Sequence, residues 1–158
     1  MKKVLIILAV ALTVMFAAGC SGAADKTDKS AGELLSVVMN SVQFPQTVEL
    51  TDEDRITDEL GIDLSLVVDH AIVQQMLSVD VCEVIILIAK DGAVGELEDV
   101  LRDRKESLIN DFAFYPNQVA SAEATDVGSV KNVVYLICHE EADEAEQALI
   151  DEVTNKTK

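Results

Sequence analysis

The chain predicts an α+β fold: a four-stranded, mostly antiparallel sheet built from two strand-strand-helix units, with helices packed on it and an N-terminal helix. Three observations carry this. Val84-Ile85-Ile86-Leu87-Ile88-Ala89 and Val133-Val134-Tyr135-Leu136-Ile137-Cys138 are the same apolar run displaced by 49 positions, and a helical period follows each. β-Branched residues are frequent in both runs, as suits a pleated surface. Both runs are apolar throughout rather than alternating, so both faces of the sheet need a cover there.

The elements follow in order. Residues 1–20 hold no acid, two lysines (Lys2, Lys3) and an apolar run from Val4 that continues past Thr13 to Ala18. A charged start, an apolar middle and small residues at the end make an export signal. A membrane-spanning helix needs about 20 apolar residues, more than this run offers. Ala17-Ala18-Gly19-Cys20 resembles the lipobox of bacterial lipoproteins, although leucine is commoner where Ala17 stands. That resemblance implies lipidation of Cys20 and an anchor of acyl chains, palmitate among them, on the extracytoplasmic face of the cell membrane. Each buried CH2 contributes about 0.8 kcal/mol, so two chains hold firmly where one is reversible. The alternative is plain secretion with cleavage near Ala24, which discards Cys20.

Residues 21–29 mix Gly, Ala, Ser, Thr and charges without a hydrophobic period and are expected to form a flexible tether. Residues 30–158 then form a single acidic domain. Ser30-Ala31-Gly32-Glu33 has capping-box spacing, and Leu34, Leu35, Val38 and Val42 share one stripe of a helix that must stop before Pro45. Thr51-Asp52-Glu53-Asp54 starts a short helix with acids at the positive end of its dipole, and Gly61 ends it. Val67–Met76 and Cys82–Ala89 read as strands around polar turn residues 78–80. Asp91-Gly92 turns into the longest helix, Val94–Phe112, with Val94, Leu97, Leu101, Leu108 and Phe112 inward, and Pro116 stops it. A weaker strand is expected within Gln118–Val127, a turn at Gly128-Ser129, a strong strand over Asn132–His139, and a closing helix over Glu141–Val153. The two carboxy-terminal helices are expected on one face of the sheet and Leu34–Val42 on the other.

Charge limits the partners. Without residues 1–20 the chain keeps 10 lysines and arginines against 29 acids, a formal charge of −19. Such a surface repels nucleic acid and anionic headgroups and tolerates cations, basic peptides and cationic polymers. The same charge also serves simply to keep an exported domain soluble. The 139 residues from Cys20 onward make one domain, too few for a two-lobed transport receptor.

Ala89-Lys90-Asp91-Gly92, Leu101-Arg102-Asp103-Arg104-Lys105, Tyr115-Pro116-Asn117-Gln118-Val119 and Val133 to Ile137 resemble a family of small lipoprotein domains of Gram-positive bacteria known only as a domain of unknown function. The likeness runs from about Leu34 to Val153. It implies a lipid-anchored domain and brings no catalytic residue or cofactor with it.

Candidate chemistry is sparse. Cys82 and Cys138 sit in the two strongest strands and could meet as a disulfide in an oxidising compartment, while the simpler reading is two buried free thiols. His70, Cys82, Cys138 and His139 are zinc-ligand types without zinc spacing, since adjacent strand residues point to opposite faces. Asp52, Asp54 and Asp58 lack the glycine and closing glutamate of a calcium loop. Arg104 falls between Leu101 and Leu108 on an apolar stripe, where it could bind an anion or a partner, pair with a buried acid, or extend its head to water. Acid pairs such as Glu96 and Asp99 or Glu140 and Glu141 are too common here to single out a general acid and base, and no nucleophile elbow, zincin helix or phosphate loop is present. No cofactor is expected.

The sequence therefore points to a lipid-anchored, non-enzymatic binding module of the cell envelope, touching the membrane through the lipid on Cys20 and taking an envelope protein, a peptide or a cationic ligand as partner. This reading expects an exposed apolar patch or a groove that Leu34–Val42 does not fill. The alternatives are a small envelope hydrolase using acidic residues in a cleft, or a passive accessory lipoprotein.

Overall fold

Five strands, one more than expected, form a single sheet in the order β1-β2-β3-β5-β4, and every neighbouring pair is antiparallel. The strands are β1 (Thr47–Glu49), β2 (Val67–Gln75), β3 (Glu83–Ala89), β4 (Asp126–Val130) and β5 (Val133–Cys138). The helices are α1 (Ala31–Ser41), α2 (Glu53–Leu60), α3 (Val94–Ser107), α4 (Pro116–Glu123) and α5 (Ala142–Thr154). This computed structural model describes residues 25–77 and 79–154, so the export signal, Cys20 and the start of the tether lie outside the described residues.

Local chemistry explains the first two helices. Ser30 Oγ accepts from the Glu33 amide at 3.2 Å while Glu33 Oε2 accepts from the Ser30 amide at 2.8 Å, closing the expected capping box. Asp52 Oδ1 accepts from the amides of Asp54 and Arg55 at the start of α2, and Gly61 ends that helix at φ 70°, a left-handed conformation that glycine adopts without strain.

The two apolar runs are the central strands. They pair directly, Val84 with Ile137 and Ile88 with Val133, so the sequence repeat becomes two hairpins, β2-β3 and β4-β5, joined back to back. Ile85 and Leu87 of β3, with Val134, Leu136 and Cys138 of β5, face Leu97 and Leu101 of α3 and Ile56 and Leu60 of α2. Val84, Ile86 and Ile88, with Val133, Tyr135 and Ile137, face Leu34 and Val38 of α1 and Ala145, Leu149 and Val153 of α5. Both faces are covered, as the unbroken apolar runs require. The expected arrangement of the covers is corrected. The two carboxy-terminal helices lie on opposite faces, α3 with α2 and α5 with α1, because a strand apolar on both sides carries no signal for the face its following helix takes.

Three further expectations change. Residues 118–123, read as part of a weak strand, belong to α4: Pro116 occupies its first position, and Gln118 Oε1 accepts the amides of Phe114 and Tyr115 at 2.9 and 3.1 Å. Pro116 thus starts a helix just after one has ended. Gly128 and Ser129, read as a turn, lie inside β4, and the turn comes at Lys131-Asn132 with Lys131 at φ 54°. β1 went unexpected because three residues behind a proline carry no periodic signal, as befits a short edge strand.

The two ends of the sheet differ. At one end residues 25–29 rest on the domain: Lys26 pairs with Asp91 at 2.8 Å, the Thr27 amide donates to Asn132 Oδ1 at 2.7 Å, and Lys29 pairs with Glu152. The Ala31 amide donates to Asp69 Oδ2 at 2.8 Å beside them. The opposite end gathers the β2–β3 connection, the corner between α3 and α4, and the exits of α1 and β5.

Candidate functional site

Arg104 stands in the last turn of α3, directly over the first residue of β3. Its Nε and Nη2 donate to Glu83 Oε1 and Oε2 at 2.8 and 2.7 Å, a two-pronged ion pair. Glu83 is 1% exposed. Gln74 Nε2 donates to Glu83 Oε2 at 2.7 Å from the neighbouring strand, so the buried carboxylate is saturated. Of the readings open for Arg104, pairing with a buried acid is the one the structure shows. Desolvation opposes the guanidinium charge, but the bonds to Glu83 outweigh it and hold its pKa above the ordinary arginine value.

The chain beyond Arg104 winds through a π-helical turn, Leu108–Phe112, that places the Phe112 ring 5.0 Å from the guanidinium carbon. Arg55 of α2 pairs with Glu59 at 2.9 Å and reaches Gln74 Oε1 at 3.5 Å. Arg55, Glu59, Gln74, Gln75, Arg104 and Phe112 together line a cavity of about 520 Å³.

Around this network the remote end of the sheet exposes large apolar side chains. Met76, Leu77 and Val79 in the β2–β3 connection are 55, 57 and 61% exposed, and Phe114 and Tyr115 in the α3–α4 corner 76 and 63%. The two segments adjoin, since Asn117 Nδ2 donates to the Val79 carbonyl at 3.5 Å. Past Val79 a second cavity of about 510 Å³ opens among Phe44, Asp80, Val81, Asn117, His139, Glu140 and Glu141. In it the Phe44 and His139 rings lie 4.7 Å apart, and His139 Nδ1 accepts the Glu141 amide at 3.0 Å.

The two cysteines sit beside this network, Cys82 next to Glu83 in the chain and Cys138 opposite Glu83 across the β3–β5 pair. Cys82 and Cys138 are both buried and are free thiols in the structure. Burial is the main cause that pushes their pKa values up, to about 12 and about 11, away from the thiolate form. Cys138 Sγ lies 3.6 Å from the carbonyls of Val81 and Ser121. Among the described residues no group of three or more His, Cys, Asp or Glu could hold a metal ion, and no helix is long and apolar enough to cross a membrane. Asp52 caps α2 rather than forming a loop site. Glu96 is exposed on α3, and Asp99 pairs with Arg102 at 3.0 Å.

One carboxylate stands apart. Oδ2 of Asp126 is buried without a hydrogen-bond donor. Desolvation, then the charges of Glu146 and Asp143, raise its pKa, and Asp143 lies within hydrogen-bonding reach, while Lys105 pulls the other way. Neither Asp126 nor Asp143 lines the cavity at Arg104 and Phe112 or the one beside Val79.

Sequence reasoning missed Glu83 and the apolar corners. Glu83 could have been found as the single charge at the head of a strand that is otherwise apolar on both faces, which demands a cation such as Arg104. Leu77 and Val79 within a turn, and Phe114-Tyr115 after a helix, were the signals for the exposed surface.

A family model described as a domain of unknown function (DUF4358) matches residues 40–139, from the last turn of α1 to the exit of β5, so the matched span holds the whole sheet, Glu83 and Arg104. No curated protein and no solved structure matches the chain.

Proposed function

The chain belongs to the DUF4358 family, and we propose that this member is a lipid-anchored, extracytoplasmic binding module of the cell envelope, without catalysis of its own, whose contact surface is the end of the sheet formed by Met76, Leu77, Val79, Phe114 and Tyr115. The observation that carries the proposal is the exposure of these five large side chains on a domain that covers both faces of its sheet. Isolated exposed apolar residues are ordinary; two adjoining loops that each expose them suit contact with another molecule. The sheet face that a groove would need is filled by Leu34 and Val38 of α1. The anchor rests on the export signal and on the lipobox-like Ala17-Ala18-Gly19-Cys20.

Two measurements test the proposal. Radiolabelled palmitate should enter the wild type and be lost in Cys20→Ala; unchanged labelling would refute the anchor. A photo-crosslinking residue placed at Leu77 or Phe114 in intact cells should give adducts that the same residue at exposed Glu96 does not. No adducts, or the same adducts from all three positions, would refute the contact surface.

A further inference from the structure

Resting on that reading, we infer that the apolar end of the sheet docks a polypeptide segment that is both apolar and positively charged, and docks it on the side of the domain facing away from the membrane.

The direction comes from the strands. Residues 25–29, the last of the chain leading from Cys20, lie against Asp91, Asn132 and Glu152. Asp91 follows the exit of β3 and Asn132 sits in the β4–β5 turn, so this is the end where β2 begins. β2 then runs nine residues to Gln75 at the other end, about 30 Å at roughly 3.3 Å per residue. Met76, Leu77 and Val79 follow it, and α3 runs the same way to deliver Phe114 and Tyr115. A lipid on Cys20 therefore puts the apolar surface on the far side from the bilayer.

The partner's charge comes from the cavity beside Val79. Among the described residues its charged lining is Asp80, Glu140 and Glu141, with no lysine or arginine, and the Phe44 and His139 rings form part of its wall. Elsewhere around this end Arg55 is engaged with Glu59, Arg104 with Glu83, and Lys105 with the Thr125 carbonyl. A lysine or arginine side chain entering the cavity meets carboxylates and an aromatic ring, while its apolar neighbours cover Leu77, Val79 and Phe114. A second copy of this chain would bring the same acids against themselves, and anionic headgroups would be repelled.

The test uses the lipidated full chain on phosphatidylcholine vesicles and two labelled synthetic peptides, an 18-residue leucine–lysine amphipathic helix and its leucine–glutamate counterpart, read by fluorescence anisotropy. The lysine peptide should bind saturably and the glutamate peptide should not. Binding should weaken about ten-fold in Leu77→Ser/Phe114→Ser and in Glu140→Gln/Glu141→Gln, and stay unchanged in Glu96→Gln. Equal binding of both peptides, or equal loss in Glu96→Gln, would reduce the effect to general acidity and overturn the inference. It also fails if the surface variants bind like the wild type, if Phe114→Ser instead abolishes self-association in sedimentation, or if Phe114 enters phosphatidylglycerol vesicles. Crosslinks from Phe114 in cells together with failure of the lysine peptide would sink the charge assignment alone and leave the binding role standing.

Discussion

At the scale of single residues, burial decides what each charge is for. Glu83 is saturated by Arg104 and Gln74, and removing one partner leaves the other uncompensated in a dry place. Arg104→Ala is expected to lower stability by about 3–5 kcal/mol in urea titration. Glu83→Leu/Arg104→Met, which removes both charges and keeps bulk, should lie much closer to the wild type. If the two variants lose stability equally, packing of the arginine stem matters rather than charge. Asp126 behaves in the opposite sense. Its pKa is raised in the folded chain, so the native state binds the more protons, and stability falls as pH rises from the ordinary aspartate value through the raised one. The groups facing it are Glu146 and Asp143 of α5, Tyr135 of β5 and Lys105 of α3. Asp126→Asn should stabilise at neutral pH and flatten the rise in stability expected on mild acidification. A variant with the wild-type pH profile between 4 and 7 would show that Asp126 ionises without cost. Arg104 was legible in the sequence as an oddity on an apolar stripe; its partner was not, because the pairing joins residues 21 apart through the packing of α3 on β3.

Among elements, the β4–β5 hairpin shows a glycine kept for a close approach. Gly128 lies opposite Tyr135, and a Cβ added there would meet the tyrosine hydroxyl oxygen at 2.6 Å and Cζ at 3.0 Å. The bare backbone lets Tyr135 lie across β4 and donate to Glu146 Oε1 of α5 at 2.6 Å. Burial, and then this bond, raise the phenol's pKa. Gly128→Ala should cost about 1–3 kcal/mol, and Tyr135→Leu in the same chain should recover part of it. Thermal unfolding of the single and double variants decides, and additive losses would show that the two positions do not compete for one space. A glycine followed by serine in the sequence reads equally well as a turn. Only the tyrosine on the neighbouring strand distinguishes the two. Pro116 was ambiguous in the same way, ending one helix and starting another, and the Gln118 bonds to the Phe114 and Tyr115 amides resolve it.

For the whole molecule, the apolar end is separate from the core, so it should contribute to contact rather than to stability. Leu77→Ser and Phe114→Ser are expected to shift the unfolding free energy by less than about 0.5 kcal/mol each, as exposed positions do. A larger loss would mean that these side chains brace their loops and would weaken the binding role. The sequence by itself determined the α+β class, the central strands from their repeated apolar runs, the capped helices, and the need to cover both faces. Those properties are written in local periodicity and cap chemistry, which act within a few residues. Tertiary structure alone decided which helices share a face, that a fifth strand closes the edge, that Arg104 and Glu83 meet, and that two apolar loops adjoin at the end remote from the tether. These depend on contacts between residues far apart in the chain. A strand buried on both sides fits its neighbours equally well from either face until the packing chooses.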